Sequence, residues 1–121
     1  MGTVWSGTQI SRQEIEMALF KAKKLVSANP VVVFSKTWCG YCKGVKKLLS
    51  ELNVSYKVVE LDEESDGGEI QSALKEWTGQ STVPNVFIGG KHISVMEEHR
   101  ARKLVPLLTE AGAIANNSAK L

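Results

Sequence analysis

Val31-Val32-Val33-Phe34 is an apolar run with no polar alternation. A strand that shows one face to water alternates, and a strand covered on both faces does not. The run therefore predicts a central strand, and a central strand needs helices on both sides of its sheet. With 121 residues there is enough chain for one domain with a core and too little for two ordinary ones. An apolar fraction of 43% and a charged fraction of 23% exclude a disordered, collagenous or coiled-coil chain.

The rest of the chain supplies those helices. Ser11 and Glu14 have the capping-box spacing, and Ile15, Ala18, Leu19, Ala22, Leu25 and Val26 recur on one helical face before Pro30. Helical period returns from about Cys39 to Leu52, with Val45, Leu48, Leu49 and Leu52 together and Lys43, Lys46 and Lys47 mostly opposite. Tyr56 to Leu61 reads as a second strand, Asp62 to Gly68 as a loop, and Glu69 to Trp77 as a third helix. Asn85 to Ile88 and Lys91 to Ile93 form a hairpin about Gly89-Gly90. Ser94 to Glu97 repeats the capping-box pattern, opening helical material to about Ala111 that is expected to break near Pro106. The first two strands, joined through a helix, are parallel by the handedness rule. The order predicts an α/β fold of the thioredoxin-like type: a four-stranded mixed sheet with helices on both faces. Residues 11–112 make the domain, with flexible segments at 1–10 and 113–121.

Several function classes fall away. No apolar run approaches the ~18 residues of a membrane-spanning helix, and no secretory pattern opens the chain. A net charge of +2 gives no argument for nucleic acid. Two cysteines are too few for a disulfide scaffold, and both lie in Cys39-Gly40-Tyr41-Cys42. This window runs from a strand end into a helix start, where unpaired N–H groups and partial positive charge stabilise a thiolate. Cys39 is therefore the expected nucleophile, with a lowered pKa aided by Lys36, and Cys42, one turn inside, the resolving thiol. Zinc would need further soft ligands, and His92 and His99, expected on the solvated surface, do not complete a set. Simple core filling fits poorly with two thiols at a helix start beside a lysine. Thr82-Val83-Pro84, placed before a strand, predicts a cis bond that turns the Val83 N–H and C=O outward beside Cys39. An extended peptide can pair with them.

Taken together, these residues resemble a glutaredoxin of the dithiol Cys-Gly-Tyr-Cys class, most like the plant type. Tyr41 stands where the thioredoxin motif Trp-Cys-Gly-Pro-Cys has proline, and Lys36, Gln71, Thr78-Gly79 and Thr82 to Lys91 follow the family pattern in order. The resemblance implies glutathione as reductant. Lys36 and Gln71 then contact its glycine carboxylate, Tyr41 flanks the tripeptide, and Thr82, Val83 and Pro84 form the edge on which its cysteinyl backbone pairs. One departure stands out. The family carries Gly-Gly-Cys-Asp or Gly-Gly-Ser-Asp after the hairpin, a turn that binds the γ-glutamyl end, whereas Ile93 here passes straight to Ser94, with about four residues missing.

The implied activity is glutathione-dependent thiol–disulfide oxidoreduction of glutathionylated and disulfide-containing proteins. The alternative is a [2Fe–2S] cluster held between two protomers by Cys39 and glutathione, and a third reading is a thioredoxin-like binding module. The chain is then a monomer, or a dimer if cluster-bound. Met1-Gly2-Thr3-Val4-Trp5-Ser6 matches the N-myristoylation pattern, so the expected location is the cytoplasm, with membrane contact only if Gly2 is acylated.

Overall fold

The computed structural model describes residues 10–114. The N-myristoylation pattern at Gly2 and most of the two expected terminal segments lie outside them. Among the described residues no helix is long and apolar enough to cross a membrane. The elements are α1 (Arg12–Ala28), β1 (Val31–Ser35), α2 (Gly40–Glu51), β2 (Lys57–Glu60), α3 (Gly67–Thr78), β3 (Asn85–Ile88), β4 (Lys91–Ile93), α4 (Val95–Arg100) and α5 (Leu104–Glu110).

The strands form one sheet in the order β2-β1-β3-β4. β1 is parallel to β2 and antiparallel to β3, and β4 closes the hairpin. All five residues of β1 are buried, as the unalternating run predicts for a strand bonded on both edges. Its side chains divide the core. Val32 and Phe34 face Ala18, Ala22, Ile70, Ala73 and Leu74 of α1 and α3. Val31 and Val33 face Val45 and Leu49 of α2, Val95 of α4 and Leu104 and Leu108 of α5. Helices thus cover both faces. Ala113 and Ile114, just past the last helix, pack on the second cluster.

Local signals explain most boundaries. At the start of α1 the capping box is complete: Glu14 N–H donates to Ser11 Oγ at 3.0 Å and Ser11 N–H to Glu14 Oε1 at 2.9 Å. The first cluster holds an aromatic stack, with Trp77 and Phe87 rings 4.5 Å apart and Phe34 edge-on to Phe87 at 6.1 Å.

Three details differ from the sequence-based expectations. The final helical stretch breaks at Arg102 (φ 63°), not at Pro106. Pro106 instead occupies the first turn of α5, where its missing N–H costs no helical bond. Ser94 does precede α4, but its hydroxyl makes no capping bond, so the second capping box does not form. α3 begins at Gly67 rather than Glu69. His92 is exposed, as expected, with its ring 5.5 Å from that of Phe87 and its Nε2 3.2 Å from Gln80 Oε1. Burial pushes its pKa down.

Gly67 shows why α3 starts early. A Cβ there would lie 1.8 Å from the carbonyl oxygen of Leu61, so only glycine lets the helix begin against the end of β2. Gly44, within α2, has nothing within 4 Å of the same position. Gly67→Ala is expected to cost about 1–3 kcal/mol by forcing backbone apart. Gly44→Ala is expected to stabilise by about 0.5–1 kcal/mol through helix propensity. Urea unfolding of the two variants checks this, and a Gly67→Ala protein as stable as the parent contradicts the close approach.

Candidate active site

Cys39 is the N-cap of α2, as the strand-to-helix reading places it. Its N–H donates to Lys36 O at 3.1 Å, closing the turn out of β1, and its C=O accepts from Lys43 N at 3.1 Å. Its Sγ receives the Cys42 N–H at 3.2 Å, one of the donors that a helix start leaves without a backbone partner. Both cysteines are free thiols. Cys39 is 9% exposed and Cys42 is fully buried. Burial pushes the Cys42 thiol's pKa up, and the adjacent Cys39 sulfur adds to this. The Lys36 backbone and the Ser35 hydroxyl nearby pull the other way.

The Val83-Pro84 peptide bond is cis, as the sequence predicts, and the Val83 carbonyl oxygen lies 3.8 Å from Cys39 Sγ. Beside this contact lies a cleft of about 320 Å³. Tyr41, Thr82, Val83 and Pro84 line it together with Gln80, Ser94, Met96 and Arg100. Tyr41 and Trp38 flank the thiol as exposed aromatics, at 73% and 68%. Four of the predicted binding residues therefore converge on one cleft at Cys39.

The other two stand beside it. Lys36 Nζ lies 5.5 Å from the Trp38 ring centroid, on the loop that leads into Cys39. Gln71, on α3, donates from Nε2 to Ser81 O at 2.6 Å and lines a separate surface depression with Ser81. It meets the cleft only through the loop that carries Thr82.

Three residues that local sequence reasoning passed over shape the site. Asp62, read only as part of an acidic loop, accepts the Thr37 N–H at 3.0 Å and the Thr37 hydroxyl. The hydroxyl bond and then the N–H hold its pKa below the usual carboxylate value, with Lys36 adding to the effect. Ser35, fully buried, donates its hydroxyl to Lys36 O at 3.4 Å and lowers the Cys42 pKa against the effect of burial. Gln80 donates from Nε2 to Thr82 O at 2.8 Å and Pro84 O at 2.9 Å. Strand register is the signal that finds the first two. Ser35 pairs with Glu60 in the parallel ladder, so the residues following β1 and β2 leave the sheet side by side.

Among the described residues no group of three or more His, Cys, Asp or Glu is placed to hold a metal ion. A [2Fe–2S] cluster on Cys39 would have to draw its remaining ligands from outside the chain.

The arrangement sets two sulfurs together at the start of α2, Cys39 at 9% exposure and Cys42 fully buried, with a backbone edge beside them. The Glutaredoxin family model matches residues 31–93. The chain is 64% identical to glutaredoxin-C1 of Arabidopsis thaliana over 125 positions, covering 100% of both chains. It is 68% identical to a glutaredoxin of Ricinus communis over 102 positions, covering 81% of this chain and 100% of that one. Among solved structures, a buckwheat glutaredoxin–glutathione complex matches with a TM-score of 0.86 and 63% identity, over 88% of this chain and 100% of that chain. The 125-position match to a chain of 121 residues leaves at least four positions of the Arabidopsis protein without a counterpart. The family match stops at Ile93, where the sequence pattern places the shortening. The chain belongs to the glutaredoxin family of thiol oxidoreductases.

Proposed function

We propose that this protein reduces glutathione mixed disulfides and protein disulfides at Cys39, with glutathione as the reductant. The observation that carries the reading is the placement of Cys39 Sγ: at the start of α2, receiving the Cys42 N–H at 3.2 Å and facing the Val83 edge at 3.8 Å. The match to a buckwheat glutaredoxin–glutathione complex supports glutathione as the partner.

In this reading Cys39 thiolate attacks one sulfur of the substrate disulfide. The substrate S–S bond breaks, a Cys39 mixed disulfide forms, and the released sulfur leaves as a thiolate that takes a proton from water. Two routes then regenerate the protein. A glutathione thiolate attacks the glutathione sulfur of a Cys39 adduct, giving oxidised glutathione and free Cys39. For a protein adduct, Cys42 loses its proton and attacks Cys39 sulfur; the Cys39–substrate S–S bond breaks, the substrate leaves as a thiolate that takes up a proton, and two glutathione molecules then reduce the Cys39–Cys42 disulfide, ending as oxidised glutathione. Val83 pairs with the cysteinyl backbone of glutathione, Tyr41, Thr82 and Pro84 line its path, and Lys36 and Gln71 take its glycine carboxylate.

The γ-glutamyl end has less to hold it. β4 ends at Ile93 and α4 begins at Val95, so Ser94 is the entire connection. Charge-assisted hydrogen bonds contribute roughly 1.5–3 kcal/mol each, so losing two weakens glutathione by about a hundredfold. Turnover with cysteinylglycine, which lacks the γ-glutamyl group, is therefore expected to be comparable to turnover with glutathione. A strong preference for glutathione contradicts this part of the reading.

Cys39→Ser is expected to lower both activities by at least about a hundredfold, since the other thiol, Cys42, is fully buried. Cys42→Ser keeps deglutathionylation within a few-fold and loses reduction of protein disulfides. Steady-state assays with a glutathionylated protein and with a protein disulfide separate the two, and substantial activity in Cys39→Ser removes the mechanism.

Because burial raises the Cys42 pKa, this sulfur is a neutral thiol at pH 7 and ionises only as pH climbs toward that raised value. Closure of the Cys39–Cys42 bridge from a Cys39 adduct should accelerate about tenfold per pH unit between pH 7 and 8.5. Rapid-quench mass measurement follows it, and a pH-independent rate contradicts control by Cys42 ionisation.

A further inference from the structure

Gln80 follows Gly79, the left-handed residue (φ 83°) that ends α3. Its own N–H is fixed by Thr78 Oγ1 at 3.0 Å. Its side-chain nitrogen lies 2.8 Å from the Thr82 carbonyl oxygen and 2.9 Å from that of Pro84. Both are acceptors, so the nitrogen must face them. The amide oxygen then faces His92 Nε2 at 3.2 Å, and the imidazole donates. Every polar atom of the side chain is committed.

Thr82 and Pro84 stand on either side of Val83. With their carbonyls taken, the Val83 carbonyl is the acceptor that this stretch turns toward Cys39. The Val83 N–H has no partner among the described residues. An antiparallel partner needs a donor and an acceptor from one residue. Val83 offers both, and Pro84 has no N–H to offer.

We propose that Gln80 is a positioning residue that fixes the register of the disulfide partner's backbone, by closing the carbonyls of Thr82 and Pro84 and leaving Val83 as the pairing point. This rests on the reading of Cys39 as the attacking sulfur and Val83 as the pairing edge. The consequence follows from strand geometry. A slip of one residue moves the partner by ~3.3 Å and turns its side chain to the opposite face. A cysteinyl sulfur aimed at Cys39 in one register points away from it in the next, so a slipped complex is bound but unreactive.

Unreactive binding has a kinetic signature. It lowers the rate at saturation and the half-saturation concentration in the same proportion, leaving their ratio unchanged. Gln80→Met keeps the side-chain length and removes both donors, and Gln80→Ala removes the side chain. The measurement is single-turnover transfer of the glutathionyl group from a glutathionylated decapeptide to Cys39, read as release of the peptide thiol. The control is bis(2-hydroxyethyl) disulfide, which has no peptide group and therefore no register.

Both variants are expected to show a two- to threefold fall in saturating rate and in half-saturation concentration with the decapeptide, at unchanged ratio. Their rates with the control disulfide should match the parent. Decapeptide kinetics equal to the parent overturn the inference. So does a parallel loss on the control disulfide, which marks a loosened site. If the parent itself transfers nothing from the decapeptide, the reading of Cys39 falls and the inference falls with it.

Discussion

β1 is buried along its whole length and hydrogen-bonded on both edges, so the chain is released only after Ser35. Two registers at that point place every part of the site. On the parallel side Ser35 lies against Glu60, and the Leu61 N–H donates to Ser35 O at 2.8 Å. Thr37 and Asp62 therefore emerge at the same end of the sheet, within hydrogen-bonding distance. On the antiparallel side Phe34 pairs with Asn85, so the Val83–Pro84 segment reaches the sheet where β1 departs from it. The turn closed by the Cys39–Lys36 bond then sets Cys39 at the start of α2, against Val83. The nucleophile and the edge it faces are thus positioned by backbone pairing.

Burial divides the work between two chemically identical thiols. Cys39, as N-cap, stands outside the first turn of α2, 3.8 Å from the carbonyl oxygen of Val83. Cys42 lies one turn in, on the face that carries Val45 and Leu49 into the core. Desolvation disfavours a charged sulfur at the inner position. The Lys36 backbone and the Ser35 hydroxyl oppose that effect in part. In the proposed reaction the fully buried Cys42 is thereby the poorer first nucleophile.

Short-range patterns were legible in the sequence. The apolar run located the central strand, the cysteine spacing located the start of a helix, and Ser11 with Glu14 located the start of another. Asp62 and Gln80 were not legible, because their partners are fixed by strand register and loop path rather than by local spacing. Gln80 illustrates the limit. Its bonds to Thr82 and Pro84 span only two and four residues, yet nothing in Thr78-Gly79-Gln80-Ser81 announces that the loop folds back on itself. Ser94 and Pro106 show the converse. Each matches a familiar local pattern, but α4 has only six residues and its N-cap hydroxyl is unused. Pro106 falls in a first turn because Arg102 has already ended the preceding helix in a left-handed conformation.

The short β4–α4 connection shows that the thiol pair and the Ser94 part of the cleft lining are separable. The last registered pair of the hairpin is Val86 with Ile93, and Val95 is already buried in the second core cluster. Anchors on both sides of Ser94 are therefore complete without any intervening turn, and no ladder bond or core side chain is given up. The Cys39 contacts with Cys42 and Val83 come from α2 and from the segment before β3, neither of which touches that connection in sequence. Ser94, Met96 and Arg100, from that connection and the helix after it, line the same cleft as Tyr41 and Val83. The sulfur chemistry and the grip on the rest of the substrate are supplied by different segments, so shortening one leaves the other's geometry in place.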